Sequence, residues 1–362
     1  MVAVKKVLMV VTVPFDSYGI GTVVKNYVKE LHNSVSFDFL LCSGGDPENI
    51  QFIKSINGRI VNLHCSRLRN PLTYTNKLRI FLKSHRYDVI HVNGNSGTMF
   101  FEIHAAKMAG VTVRIAHCHN SDCRYKILHY LLKSRLNHEL TDGIACSQKA
   151  GEWLFSRKFT ILNNAIQTEK YKFDSNLRNE LRKKYGYEDK TVLLNVGRLT
   201  NQKNQRFIID LLPDLISLNP RIRLCIVGDG ELEEELQEYA KTLGVTEYVT
   251  FAGKQENAQF FYSMADIFLF PSIFEGLGLV LIEAQAAGLP SVASEAVPRE
   301  TRLTNTVRYL ELNKSVWLNA VSSIKCLDSE SRIKASMLAR EQIKEKGYDI
   351  GENAKQLLNF YI

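Results

Sequence analysis

No stretch of the 362 residues approaches the ~20 consecutive apolar positions that a membrane-crossing helix needs, so none is expected. Cysteine is sparse: seven residues lie at 42, 65, 118, 123, 146, 225 and 326, and none forms a CxxC. An odd, scattered set argues against a disulfide scaffold and suits a reducing cytoplasm. Only 8 prolines and 21 glycines punctuate the chain, with no low-complexity tract and no solenoid repeat, as in a globular protein. The opening MVAVKKVLMVVTVP sets a short apolar run behind two lysines, as a signal peptide does. The run is β-branched, lacks a small-residue cleavage site and leads into a glycine turn, so it reads as a first buried strand.

The net charge of +8 is unevenly placed. Residues 1–163 carry 21 Lys and Arg against 11 Asp and Glu, whereas residues 164–362 carry 25 against 27. The excess lies in SRLRN (66–70), KLRIFLKSHR (77–86) and RYKILHYLLKSR (124–135). Any one cluster reads as a solvated helix face. The asymmetry favours an anionic partner near the first half, a membrane leaflet or a phosphorylated substrate.

Short β-branched runs alternate with helical patterns from end to end. The first half offers 7–13, 35–42, 58–63, 88–92, 111–116, 142–146 and 159–162 as strands, and the second restarts the rhythm at 191–197, 223–228, 248–253, 266–271, 290–294 and 307–312. This alternation means parallel sheets with helices on both faces. The polar, weakly patterned NNAIQTEKYKFDSN (163–176) reads as a linker between two doubly wound domains. Such sheets bind ligands beyond the carboxyl ends of their strands, and two of them facing each other would make a cleft.

In that scheme DIFLFP is a strand, PSIFEGLG its carboxyl-end loop and LVLIEAQAAG a helix. Gly276 and Gly278 let the backbone approach a ligand, while the amides of Gly278, Leu279 and Val280 form a helix N-terminus suited to phosphate. Glu275 and Glu283 flank those amides. Two acids around an anion site suit a diphosphate between two sugars: Glu275 for a transferred sugar, Glu283 for a ribose. The bland alternative is a helix cap and a wet-face acid.

Other turns support the first reading. NVGRLTNQKN (195–204) follows a strand, so Arg198 and Lys203 sit where they can neutralise a diphosphate and its departing charge. VGDGELEEEL (227–236) brings Gly228 and Gly230 to another strand–helix turn, suited to close approach of a base or ribose. SYGIGTVVKN (17–26) places Gly19 and Gly21 after the first strand, either as amides near the diphosphate or as a merely tight turn. HCHNSDC (117–123) invites a zinc reading. Neighbouring residues on a strand end point to opposite faces and no second motif completes a tetrahedral set, so no metal site is expected. Asp122 either orients this segment or caps a helix beginning near Arg124.

GRLTNQKN, VGDGELEEEL and the glutamates bracketing GLGLVLI together resemble glycosyltransferase family four, the large retaining group of GT-B architecture. ACSQKAGEWLF (145–155) and AHCHNSD (116–122) resemble its bacterial capsular and exopolysaccharide branch. The resemblance runs over nearly the whole chain. It implies an α/β fold of two Rossmann-like domains across a cleft: an acceptor-binding domain over 1–165, a nucleotide-sugar-binding domain over 166–345, and a terminal helix over 346–362 packing back on the first. It also implies retention of anomeric configuration without a metal or other cofactor. Arg198 and Lys203 match the diphosphate clamp, Glu275 the sugar-hydroxyl contact, Glu283 the ribose contact and His119 the histidine facing the sugar. Two departures stand out: NNAIQ replaces the usual P-N-G-I-D, and ASEAVPRE (293–300) replaces a commoner glycine pair.

The expected reaction moves a sugar from a nucleotide sugar, of which a UDP-sugar is the first choice, onto a hydroxyl of a free or lipid-linked glycan. The expected setting is the inner face of the cell membrane, with an anionic membrane surface as partner and no nucleic acid. Rival readings are a non-catalytic sugar-binding scaffold and a nucleotide-sugar epimerase or phosphorylase of similar shape. A nicotinamide-dependent dehydrogenase would want a third glycine where YGIGTVVKN has valine.

Overall fold

The computed structural model describes residues 5–16 and 19–362; Met1–Val4 at the start of the opening strand segment and Ser17 and Tyr18 of the SYGIG turn lie outside the described residues. The chain forms two compact units, one of Met1–Ala165 with Ile350–Ile362 and one of Ile166–Asp349.

Unit 1 alternates β1 (Lys5–Val11), α1 (Ile20–Leu31), β2 (Val35–Leu41), α2 (Pro47–Ser55), β3 (Ile60–Val61), α3 (Pro71–His85), β4 (Val89–Gly94), α4 (Phe100–Ala109), β5 (Val113–Cys118), α5 (Lys126–Glu139), β6 (Asp142–Ala145), α6 (Gln148–Leu154) and β7 (Thr160–Ile161). Unit 2 holds α7 (Ser175–Tyr185), β8 (Thr191–Val196), α8 (Gln205–Asp210), α9 (Leu212–Leu218), β9 (Ile222–Val227), α10 (Glu233–Thr242), β10 (Val249–Phe251), α11 (Gln259–Met264), β11 (Ile267–Phe270), α12 (Leu279–Ala286), β12 (Ser291–Ser294), β13 (Val307–Leu310), α13 (Lys314–Ser323) and α14 (Ser329–Glu345). A last helix, α15 (Ile350–Asn359), belongs to unit 1 and packs on α1.

Both sheets are wholly parallel. Their orders are β3-β2-β1-β4-β5-β6-β7 and β10-β9-β8-β11-β12-β13. Strands covered on both faces need no polar alternation, which is why β1, β8 and β11 read as continuous apolar runs with buried interiors. Helix starts follow local chemistry: Asp46, Ser147, Asp174, Asn313 and Asp328 each accept a backbone N–H at the head of a helix.

The division between the two units falls within segment 163–176, which is held by local contacts. Ala165, Ile166, Thr168 and Phe173 are buried, and the Thr168 hydroxyl donates to Asp349 at 2.5 Å. Within unit 1, the Asn353 side chain donates to the Asn163 carbonyl at 3.0 Å. Its polar groups are spent on internal hydrogen bonds, which a hydropathy pattern does not reveal. In unit 2 the fully buried Arg332 donates to the carbonyls of Ala287, Ala265 and Tyr262, tying α14 to the C-terminal ends of α11 and α12. Burial without a carboxylate partner pushes its guanidinium down to about 9.

Candidate active site

In unit 2 the strand order reverses between β8 and β11, the switch point where open α/β sheets bind ligands beyond their carboxyl ends. The two loops that leave these strands carry the predicted residues. Lys203, after β8, and Glu275, after β11, meet in an ion pair of 2.7 Å, with side chains 20% and 7% exposed. Lys203 Nζ also stands 5.2 Å from the centre of the Phe270 ring. The carboxylate and the ring's negative face thus fix the ammonium while leaving it accessible. Arg198 sits on the same loop as Lys203; it is exposed, and its carbonyl accepts the Gln205 side chain at 3.1 Å.

Glu275 leads directly into α12. Gly278 precedes the helix at φ 88°, a left-handed conformation that glycine adopts without strain. The amides of Gly278, Leu279 and Val280 donate to no group among the described residues, as expected of a helix N-terminus. They follow Glu275 of the ion pair within the same loop-to-helix junction.

Glu283 points into a more enclosed setting. Its carboxylate accepts the Tyr262 hydroxyl at 2.7 Å and is also hydrogen-bonded by Tyr171. Burial raises its carboxyl above the ordinary value, while the two tyrosines and the charges of Lys170 and Lys203 pull the other way. Lys203 therefore acts on both glutamates. The two tyrosines were not legible as site residues: Tyr262 falls in the apolar QFFYSM helix and Tyr171 in the polar segment after Ala165.

The glycine turns show close approaches within the protein's own backbone. A Cβ at Gly228, φ 139°, would overlap the carbonyl oxygen of Gly197, and one at Gly230 would overlap the Leu199 backbone. Both glycines thus allow the loop after β9 to lie against the loop bearing Arg198. In unit 1 a Cβ at Gly21 would overlap the Asp16 carbonyl, whereas Gly19, φ 55°, faces open space. Those three approaches are backbone on backbone.

His119, just past β5, is 8% exposed. Its Nε2 pairs with Asn93 Oδ1 at 2.9 Å and its Nδ1 lies 3.4 Å from Asn164 Oδ1, so a hydroxyl can reach the ring most easily by displacing the longer contact. Its ring stacks on His117 at 4.1 Å between centres; His117 Nδ1 lies 3.2 Å from His91 Nε2, and His91 Nδ1 meets the Tyr361 hydroxyl at 2.6 Å. Burial pushes His119 down to about 4 and His91 to about 3, and holds His117 well below its usual range. No group of three or more His, Cys, Asp or Glu among the described residues is arranged to hold a metal ion. Asp122 caps no helix: α5 starts at Lys126, and Asp122 accepts the Cys123 amide and pairs with Lys126 on the surface.

Two family models match the chain. "Glycosyl transferases group 1" covers residues 178–306 and "Glycosyltransferase Family 4" covers 18–170. A Haemophilus influenzae protein named as a glycosyltransferase is 30% identical over 260 residues, 70% of each chain. The chain belongs to glycosyltransferase family 4. This family-4 glycosyltransferase is also 29% identical over 361 residues to EpsF of Bacillus subtilis, named as a glycosyltransferase, spanning 95% of this chain and 93% of that one. In fold it matches HepE of Anabaena with a TM-score of 0.79 over 98% of each chain at 18% identity; HepE was crystallised with UDP. The shared GT-B fold consists of two parallel-sheet Rossmann-like domains.

Proposed function

We propose that this glycosyltransferase binds a UDP-sugar in unit 2 and transfers the sugar, with retention, to a hydroxyl of a lipid-linked glycan during capsular or exopolysaccharide synthesis. The observation that carries the reading is the convergence of Lys203, Glu275 and the unpaired amides of Gly278, Leu279 and Val280 at the β8–β11 switch point. A cation and a helix N-terminus are suited to a diphosphate, and a carboxylate beside them to sugar hydroxyls. HepE, with the same fold, was also crystallised with UDP-glucose, which supports the choice of donor.

In the proposed reaction the bond between the anomeric carbon and the diphosphate oxygen breaks as an acceptor oxygen bonds to that carbon from the same face. The acceptor proton passes to the leaving phosphate oxygen. Arg198, Lys203 and the amides stabilise the charge that grows there, single donors in such sites being worth about 3 kcal/mol. Glu275 holds the transferred sugar and Glu283 the ribose. This chemistry calls for no metal or other cofactor from the protein. The acceptor, borne on a lipid, places the protein at the inner face of the cell membrane.

The test is a thermal-shift screen over UDP-, GDP- and ADP-sugars, followed by transfer assays with and without a polyprenyl-diphosphate-linked sugar. Stabilisation by a UDP-sugar and acceptor-dependent release of UDP are expected. Donor binding with no transfer to any acceptor would instead mark a sugar-binding scaffold, and conversion of the donor without acceptor an epimerase.

A further inference from the structure

Three large aliphatic side chains of unit 1 stand almost fully in solvent: Leu72 is 86% exposed, Ile127 81% and Leu131 68%. Isolated surface apolar residues are ordinary. These three lie on α3 and α5, which with α4 line a groove of about 620 Å³ that includes Phe101 and Met108. The fold does not need them. α3 buries Tyr74, Leu78 and Leu82, and α5 buries Leu132 and Leu136, so the exposed residues are additional to the apolar face that each helix turns to the core.

The charges around this surface are mostly positive. No Asp or Glu occurs between Glu48 and Asp88, nor from Cys123 to His138. Arg79 and Arg135 line the groove itself. Its one acid, Glu139, is held by His104 at 2.8 Å and Lys107 at 3.6 Å, and Arg67, beneath, is neutralised by the buried Glu102.

We propose that the α3–α4–α5 face is the membrane-docking surface of this protein: Leu72, Ile127 and Leu131 insert into an anionic leaflet while Arg79 and Arg135 meet its phosphates. Exposed aliphatic side chains flanked mainly by cations match the interfacial zone of such a leaflet, where long basic side chains reach the headgroups and apolar ones the acyl boundary. A second copy of the chain is a poorer occupant, because pairing the face with itself would set cation against cation. The proposal rests on the lipid-linked acceptor of the proposed function and names the surface that meets the lipid. It adds a component beyond electrostatic attraction, so salt alone should not abolish binding.

The test is flotation with phosphatidylcholine vesicles, with and without phosphatidylglycerol. The wild type should bind the anionic vesicles and keep part of that binding at about 0.5 M salt, where surface charges are screened within a few ångströms. The triple variant L72S/I127S/L131S should bind at least about tenfold more weakly and lose the salt-resistant part. R79Q/R135Q should lose the preference for anionic vesicles, and L218S, an exposed apolar site on unit 2, should bind as wild type. Should the triple variant misfold, L131W gives a second readout: its fluorescence should shift to the blue on anionic vesicles. Undiminished binding by a folded triple variant, no blue shift, or equal binding to neutral vesicles would overturn the proposal. So would a wild-type dimer, seen by sedimentation velocity, that the triple variant dissolves without either form binding vesicles. Stabilisation by UDP, read on the same preparations, separates the two readings: vesicle binding without it would count against the proposed donor site, and its presence without vesicle binding against the docking face alone.

Discussion

Lys203 Nζ lies 2.7 Å from Glu275 Oε1, and the two residues come from loops on adjacent strands, 72 positions apart in sequence. The pair is half-open, with Lys203 the more exposed partner. Such a geometry holds a cation ready for a diphosphate without saturating it. A carboxylate in the same site keeps further acceptor capacity for hydroxyls.

Removing either partner should therefore harm turnover more than folding. Lys203→Ala and Glu275→Ala are each expected to lower kcat/KM by about 100-fold or more. Stability should fall by about 1–2 kcal/mol, less than for a fully buried pair because solvent reaches the lysine. Kinetics and thermal unfolding of the two single variants and the double variant check this. A rate loss no larger than the stability loss implies would make the pair a purely structural ion pair.

Arg198 offers a cleaner separation, because its side chain is exposed. Arg198→Ala should leave unfolding within about 0.5 kcal/mol of wild type. It should lower kcat by about 100-fold if the guanidinium meets charge that develops on the leaving group. Wild-type turnover in this variant would remove Arg198 from the site.

The glycines after β9 should behave in the opposite way. At Gly228, φ 139°, an alanine would both strain the backbone and strike the Gly197 carbonyl, and at Gly230 it would strike Leu199. Both variants are expected to lose about 2–4 kcal/mol, with the Arg198 loop displaced as a consequence. Gly276→Ala is the control, since a Cβ there meets nothing within 4 Å. Its stability should stay near wild type in urea unfolding.

The contrast among these positions shows what was legible beforehand. Strand–helix alternation marks both parallel sheets because buried parallel strands must be apolar throughout, and the motif GRLTNQKN with the paired glutamates locates the switch-point loops. Partners distant in sequence leave no such trace. Tyr171 and Tyr262 look like a polar-segment residue and a core residue, yet both hydroxyls converge on Glu283. Gly228 reads as a turn that admits a ligand, and its close approach to the Gly197 carbonyl leaves no mark in the sequence. Short strands such as β3 and β7 shrink to two residues each at the two edges of the unit 1 sheet, where only one neighbour sets their length.

Glu283 makes stability depend on pH in a direction opposite to most carboxylates. Burial raises its carboxyl above the ordinary 4.5. In the interval above 4.5 the folded chain holds a proton that the unfolded chain has lost, so this contribution is complete below 4.5 and disappears as pH rises through the raised value. Glu283→Gln should thus gain stability relative to wild type as pH rises from acid to neutral. Tyr262→Phe, which removes a hydrogen bond that favours the charged form, should steepen the wild-type dependence. Thermal unfolding across that range checks both, and a difference between E283Q and wild type that does not change with pH would show that folding leaves the proton affinity of Glu283 unchanged.

The histidines of unit 1 have the reverse sign. His91, His117 and His119 are 1%, 1% and 8% exposed, and burial depresses all three below the ordinary 6.5, to about 3 for His91 and about 4 for His119. The unfolded chain takes up their protons first. Their contribution is therefore fully present above 6.5 and is lost as pH falls toward the depressed values. The stack also places like charges together, His117 within 4.1 Å ring to ring of His119, and the side-chain partners around it, the Tyr361 hydroxyl and the Asn93 and Asn164 amides, are uncharged. Unfolding should accordingly become easier between pH 6.5 and 4 by up to three protons' worth of slope. His117→Phe keeps a ring in the stack and should remove about one third of that slope, read as the change of unfolding free energy with pH. The same slope in variant and wild type would mean that His117 takes up its proton without regard to folding and has no part in the acid sensitivity of unit 1.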